Sequence, residues 1–200
     1  MVSMGMHKAL LPYAISSISQ TGMEILRHPF TTAGIIPDRC GEAGVQACCY
    51  QALHHQFVAS ALAVQKCHEL IPNSQMGCML TKLTTYPRTC APEDVAATQQ
   101  KNLDNLFYSD VMVFGEYPKM VLKKFERNNI NIEMLPQDMD ILKSGCVDFV
   151  SFSYYMSMTE SVDPNAERTP GNTILSNRNQ WSGYGVITGL AEWTKDTHWL

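Results

Sequence analysis

The sequence predicts an α/β fold on a parallel sheet, from three observations. A long apolar-faced helical pattern runs from about Gly44 to Leu70. Two short apolar, strand-like runs follow, one at Gln75–Leu83 and one at Val147–Tyr155. Helical stretches separate those runs, and strands spaced by helices indicate parallel pairing. The 200 residues are 45% hydrophobic and 17% charged, enough apolar material for one domain to bury a core.

Residues 1–22 are weakly patterned and yield no assigned element. Pro29 to Gly44 reads as a loop, with Gly34, Pro37, Asp38 and Gly41 as turn formers. In the long helix, Cys49, Leu53, Phe57, Ala61, Val64 and Ile71 recur at mostly three- and four-residue steps and make one apolar face, and Pro72-Asn73 stops it. Met76-Gly77-Cys78-Met79-Leu80 then reads as a buried parallel strand. Pro92 opens the next helix at a first-turn position, with Glu93 and Asp94 at its positive end, and that helix is expected to reach about Leu106. Pro118 starts another, with Val121, Leu122 and Phe125 inward and Lys123, Lys124, Glu126 and Arg127 outward. A short helix covers Asp138 to Lys143, and the aromatic and β-branched run from Val147 to Tyr155 is the second strand. The residues from Pro164 to Leu200 are turn-rich and polar and are assigned no regular structure.

Several function classes find no support. A net charge of −4 without a basic run argues against nucleic acid as a partner. No apolar stretch spans a bilayer, so no membrane association is expected. Pro12 and Tyr13 interrupt the short apolar run after Lys8, which argues against a secretory signal. Seven cysteines without a disulfide-like framework read as reduced thiols of a cytoplasmic protein. No phosphate-binding loop or dinucleotide fingerprint occurs, and no cofactor is implied. Cys48, Cys49, His54, His55, Cys67 and His68 suggest a metal protein as one alternative, but neighbouring pairs diverge around a helix, and no metal ligand set is assigned.

The strand ending in Ser153-Tyr154-Tyr155 is the candidate site. Catalytic groups of parallel barrels project from strand C-termini, and alternation gives Tyr155 the facing of Ser153. From the residues alone, these tyrosines read more readily as core residues with satisfied hydroxyls. Glu24 is the only acid in the first 37 residues, and Glu93, Asp94, Glu126 and Asp140 read as helix-surface acids.

Five stretches resemble family 1 glycoside hydrolases, in particular their 6-phospho-β-glucosidase branch: His54 to Pro72, Met76 to Leu80, Tyr86 to Val95, Phe107 to Pro118, and Asp140 to Ser157. They occur in family order and cover about half the chain. A looser likeness extends back to His28–Gly34. The resemblance implies an eight-stranded (β/α)8 TIM barrel, of which this chain holds roughly strand four to strand six. Residues 1–22 would be a poorly matched N-terminal segment, 23–163 the partial barrel and 164–200 an irregular tail.

By the same resemblance the reaction is hydrolysis of a phosphorylated β-glucoside with retention, through a covalent glycosyl-enzyme. The acid/base Glu of the family follows an Asn, and Thr21-Gly22-Met23-Glu24-Ile25 keeps its Thr, Glu and Ile, which makes Glu24 the candidate. Ser153 stands where many members have Asn, as in the phospho-glucosidase branch, and Tyr155 matches the Tyr that hydrogen-bonds the nucleophile. That nucleophile is the Glu of an E-N-G motif, and no E-N-G occurs in these residues. The Trp181–Leu190 stretch resembles the segment preceding it. The expectation is a piece of a longer glycosidase, inactive alone. The alternative is a degenerate, non-catalytic product that acts through association, by open sheet edges, with a partner or with itself.

Overall fold

The computed structural model describes residues 13–16, 25–26 and 28–166. The elements are strand β1 (Tyr13–Ser16), helix α1 (Pro29–Ala33), two 3-10 turns (Pro37–Arg39 and Gly41–Ala43), helix α2 (Gly44–Leu70), strand β2 (Gln75–Pro87), helix α3 (Pro92–Phe114), helix α4 (Lys119–Arg127), helix α5 (Asp138–Ser144) and strand β3 (Phe149–Glu160). The strands form one sheet in the order β1-β2-β3. β1 runs parallel to β2, with Tyr13 opposite Gln75 and Ser16 opposite Cys78. β3 runs the same way. The Asp148 N–H donates to the Met76 carbonyl at 2.8 Å and the Ser151 hydroxyl to the Cys78 carbonyl at 3.2 Å, so both strands advance together. This α/β order, parallel strands joined through helices, is the expected fold class.

Two elements were not anticipated. β1 lies in the segment left unassigned, and four residues are too few for alternation to stand out from a serine-rich background. α1 occupies part of the expected loop. Pro29 starts it, and Gly34, left-handed at φ 66°, ends it by donating its N–H to the Phe30 carbonyl, so the turn formers punctuate a short helix. α3 also continues past Leu106, because Phe107, Tyr108, Val111 and Met112 are buried and extend its apolar face. Its stop is Gly115, at φ 66°. β2 and β3 extend to Pro87 and Glu160, beyond their expected ends.

The described residues form two compact units. The first comprises those up to Leu80 together with Leu106–Ser153. Its core is the predicted face of α2, where Cys49, Leu53, Phe57, Ala61 and Val64 are buried, while Ile71, just past the helix end, is 42% exposed. Aromatic side chains interlock on this face. Tyr50 meets Phe125 at 4.7 Å between ring centroids, and Phe57 meets Phe107 edge-on at 5.6 Å, a favoured aromatic arrangement. α5 packs close to α2, since a Cβ at Gly145 would lie 2.4 Å from the Ala61 carbonyl oxygen.

The second unit comprises Thr81–Asn105 and the described residues from Tyr154 onward. Here side chains of α3 replace a strand partner for β2. Asn102 donates to the Thr85 carbonyl at 2.9 Å and accepts the Thr85 N–H at 3.0 Å. Asn105 donates to the Thr81 carbonyl at 2.9 Å and accepts the Leu83 N–H at 3.2 Å. Both pairings satisfy backbone groups that burial would otherwise leave costly. Among the described residues no helix is long and apolar enough to cross a membrane.

Gly115 gives the first stability test. A Cβ there would adopt a left-handed backbone and sit 2.6 Å from the Lys143 Cα. Gly115→Ala is therefore expected to destabilise the first unit by about 2 kcal/mol or more. A chemical-denaturation midpoint equal to that of the unmodified chain would contradict this packing.

Candidate functional site

Of the sequence-predicted site residues, Ser153 is described in full. It is half-buried near the middle of β3, and its hydroxyl donates to the Met79 sulfur at 3.3 Å. A thioether is a weak acceptor, so this contact orients the hydroxyl while leaving its oxygen lone pairs available. Alternation along β3 is as expected: Val150 and Phe152 are exposed, whereas Phe149, Ser151 and Ser153 are half-buried. β3 runs through Tyr155, whose side chain lies outside the described residues. Glu24 also lies outside them. Its chain neighbour Ile25 is completely buried, and the Ile25 carbonyl accepts the Cys49 thiol at 3.5 Å, so the residue after Glu24 is anchored to α2.

One of the four acids placed on helix surfaces by the sequence reading is internal. Asp94 is 3% exposed. It accepts the Thr89 hydroxyl at 2.7 Å, the Ser161 hydroxyl at 2.9 Å and the Val162 N–H at 2.8 Å. The Thr89 hydroxyl, followed by the Val162 N–H, holds this carboxyl below its ordinary range. Asp94 is thus a clasp that fixes the segment after β3 to the start of α3. Its position in the first helical turn suggested solvent, but it also lies where loop hydroxyls converge. Glu93, Glu126 and Asp140 are exposed as expected. Beside the clasp, Lys101 pairs with Glu160.

The most deeply buried polar array is Tyr117–His54–Asp138. His54 has no exposed surface. Its Nε2 lies 3.0 Å from Asp138 Oδ2 and its Nδ1 3.0 Å from the Tyr117 hydroxyl. Asp138 Oδ2 also accepts the Leu135 N–H at 2.7 Å. The His54 hydrogen bond, with that N–H, keeps the carboxyl of Asp138 below its ordinary range, so it accepts and Nε2 carries the proton. Burial pushes the Tyr117 phenol up, and it keeps its proton to donate to Nδ1. This order of groups matches that of a catalytic relay, but every member is buried, so it joins α2, the turn before α4 and the start of α5. A histidine three residues before Phe57 and seven before Ala61, in step with the apolar face, was the sequence signal for it.

His68 and Asp148 make a second clasp. His68 Nε2 lies 2.8 Å from Asp148 Oδ2, which also accepts the Met76 N–H at 2.7 Å. Burial opposes the Asp148 charge, but the Met76 N–H and His68 outweigh it and the carboxyl lies below its ordinary range. Asp110, half-buried on α3, is pushed the other way by burial, and it sits on a helix rather than at a strand end. Among the described residues no group of three or more His, Cys, Asp or Glu is arranged to hold a metal ion. All seven cysteines are free thiols.

The profile of glycosyl hydrolase family 1 matches residues 20–198. The chain belongs to this family. It is 46% identical over 151 residues to the aryl-phospho-β-D-glucosidase BglH of Bacillus subtilis, covering 76% of this chain and 32% of that protein. It is 44% identical over 158 residues to the 6-phospho-β-glucosidase AscB of Escherichia coli, covering 78% and 33%. A 6-phospho-β-glucosidase of Dickeya chrysanthemi is 43% identical over 150 residues, 74% of this chain and 31% of that one. The chain thus spans about a third of the length of these relatives. Among solved structures, the β-glucosidase of Thermotoga maritima in complex with glucoimidazole superposes with a TM-score of 0.60 at 20% identity, over 85% of this chain and 37% of that one. That likeness shows the fold, part of a (β/α)8 barrel with three of its parallel strands described here. The family match reaches residue 198, well into the segment that composition alone left unassigned.

The family's fold rests here on the buried array, and pH exposes its charge. A carboxyl whose folded pKa is depressed stabilises the fold above its ordinary value of 3.8, and that contribution is lost as pH falls through the lower folded value. Asp138→Asn is expected to cost about 3 kcal/mol at neutral pH and to flatten, without abolishing, the loss of stability in acid, since Asp94 and Asp148 are depressed too. Unfolding curves against pH that coincide for both proteins would contradict this role.

Proposed function

We propose that this chain carries part of the site of a retaining β-glycosidase that cleaves 6-phosphorylated β-glucosides. The observation that carries the reading is the 43–46% identity to phospho-β-glucosidases over 150–158 residues of this chain. Ser153 on that strand, in place of the Asn of other members, agrees with the phospho-glucosidase branch.

In this reading Glu24 is the acid/base. Its carboxylic acid protonates the glycosidic oxygen as a second Glu attacks the anomeric carbon, and after the aglycone leaves, the Glu24 carboxylate takes a proton from the water that releases the sugar. Tyr155 holds the nucleophile by a hydrogen bond, and Ser153 lines the site two residues earlier on the same facing.

The 200 residues contain no E-N-G, so the covalent step lacks its partner. Loss of a nucleophile costs several orders of magnitude in rate. The purified chain is expected to release no aryl alcohol above background from a 6-phosphorylated aryl-β-glucoside. Turnover that disappears in Glu24→Gln would show the chain to be a complete catalyst and refute its inertness.

Self-association of the chain is a further proposal, and it rests on one observation. β3 is an edge of the described sheet, its run from Phe149 to Thr159 carries no charge, and Val150 and Phe152 are 47% and 69% exposed on one face. Uncharged edges with apolar faces pair with further chains. Phe152→Lys is expected to shift the chain toward monomer in sedimentation velocity, and an unchanged distribution would remove this reading.

A further inference from the structure

We propose that Gln51, His55 and the Glu133 peptide form an acid-sensitive latch that holds residues 131–137 against α2. This segment has no regular structure and joins α4 to α5. The Glu133 N–H donates to Gln51 Oε1 at 2.6 Å, which sets the orientation of the amide. Gln51 Nε2 then donates to the Glu133 carbonyl at 3.0 Å and faces His55 Nε2 at 2.9 Å.

An amide nitrogen offers only hydrogens, so His55 Nε2 must present its lone pair. A protonated imidazole carries a hydrogen on both nitrogens, and this contact would become donor against donor. Turning the amide over does not help, because it sets N–H against the Glu133 N–H and oxygen against the Glu133 carbonyl. No single orientation of Gln51 serves both Glu133 and a protonated His55. Imidazole is the side chain whose charge changes in the physiological range, and His55 is exposed to solvent protons.

The titratable groups nearest His55 are His54 on its own helix, with ring centroids 6.2 Å apart, and Asp138 at the start of α5, which pairs with His54, while Glu133 enters the latch through its peptide groups. Asp138 holds the far end of the segment through the Leu135 N–H, and the Ile130 N–H, donating to the Phe125 carbonyl at 2.9 Å, holds the near end. Release therefore frees the middle while both ends stay tied.

Hydrogen exchange of a peptide covering residues 131–135, corrected for intrinsic rates, tests the latch on the full 200-residue chain. Protection is expected to fall roughly tenfold between about pH 7.5 and about pH 5.5, the loss of one or two hydrogen bonds. His55→Gln, which keeps an acceptor and takes no proton, should hold its protection across that range. In Gln51→Ala the protection due to the Glu133 N–H should be absent at both ends of it, while the Leu135 N–H stays held by Asp138. A pH-independent pattern in the unmodified chain, the same acid loss in His55→Gln, or full protection in Gln51→Ala would each overturn the proposal. None of these readouts depends on the glycosidase reading.

Discussion

A buried imidazole is the constraint on which the first unit depends. His54 is the most deeply buried polar side chain on a largely apolar helix face, and burying it unpaired would cost more than its packing returns. Both ring nitrogens are engaged, one by a carboxylate and one by a phenol, and the two partners come from different parts of the chain. Satisfying one side chain therefore fixes where the turn at Tyr117 and the start of α5 must lie against α2. The aromatic cluster around Phe57, Phe107 and Tyr117 packs beside that arrangement, so close packing and polar satisfaction favour the same geometry.

The same principle recurs along the barrel segment at smaller scale. Parallel strands present backbone groups that need partners, and several are met by side chains. Asn102 and Asn105 serve β2 from α3, Asp148 holds the Met76 N–H at the start of the β2–β3 pair, and Asp94 holds Val162 after β3. Two of these four residues are carboxylates kept ionised by N–H and hydroxyl donors. Acid therefore acts on the fold at several points at once, through groups that lie outside the proposed chemistry.

Much of this architecture was legible in the sequence. The α2 face stood out because large apolar residues repeat over 27 residues, and β2 and β3 stood out as apolar runs between helices. β1 and α1 did not, since four or five residues carry too little periodicity against flanking serines and turn formers. Asp94 was misjudged for a physical reason. First-turn acids ordinarily face water and the helix dipole, and only the folded chain shows Thr89, Ser161 and Val162 converging on it. The candidate site was legible differently. Ser153 and Tyr155 could be placed on one strand facing by alternation, but their roles came from family likeness, because a Ser and a Tyr on a strand are equally good core residues.

For the chemistry proposed here, the placement of charge matters more than packing. Retaining hydrolysis needs two carboxyl groups on opposite sides of one bond, held in different protonation states by different surroundings. The shifted carboxylates described here do other work. Asp94, Asp138 and Asp148 are all depressed by donors that hold segments together, and none is left to give a proton to a leaving group. Asp110 is raised by burial, as suits a general acid, yet it sits on a helix rather than on a strand. In the proposed reading the acid role belongs to Glu24 through its place in the family motif, and no E-N-G occurs in these 200 residues to mark the nucleophile.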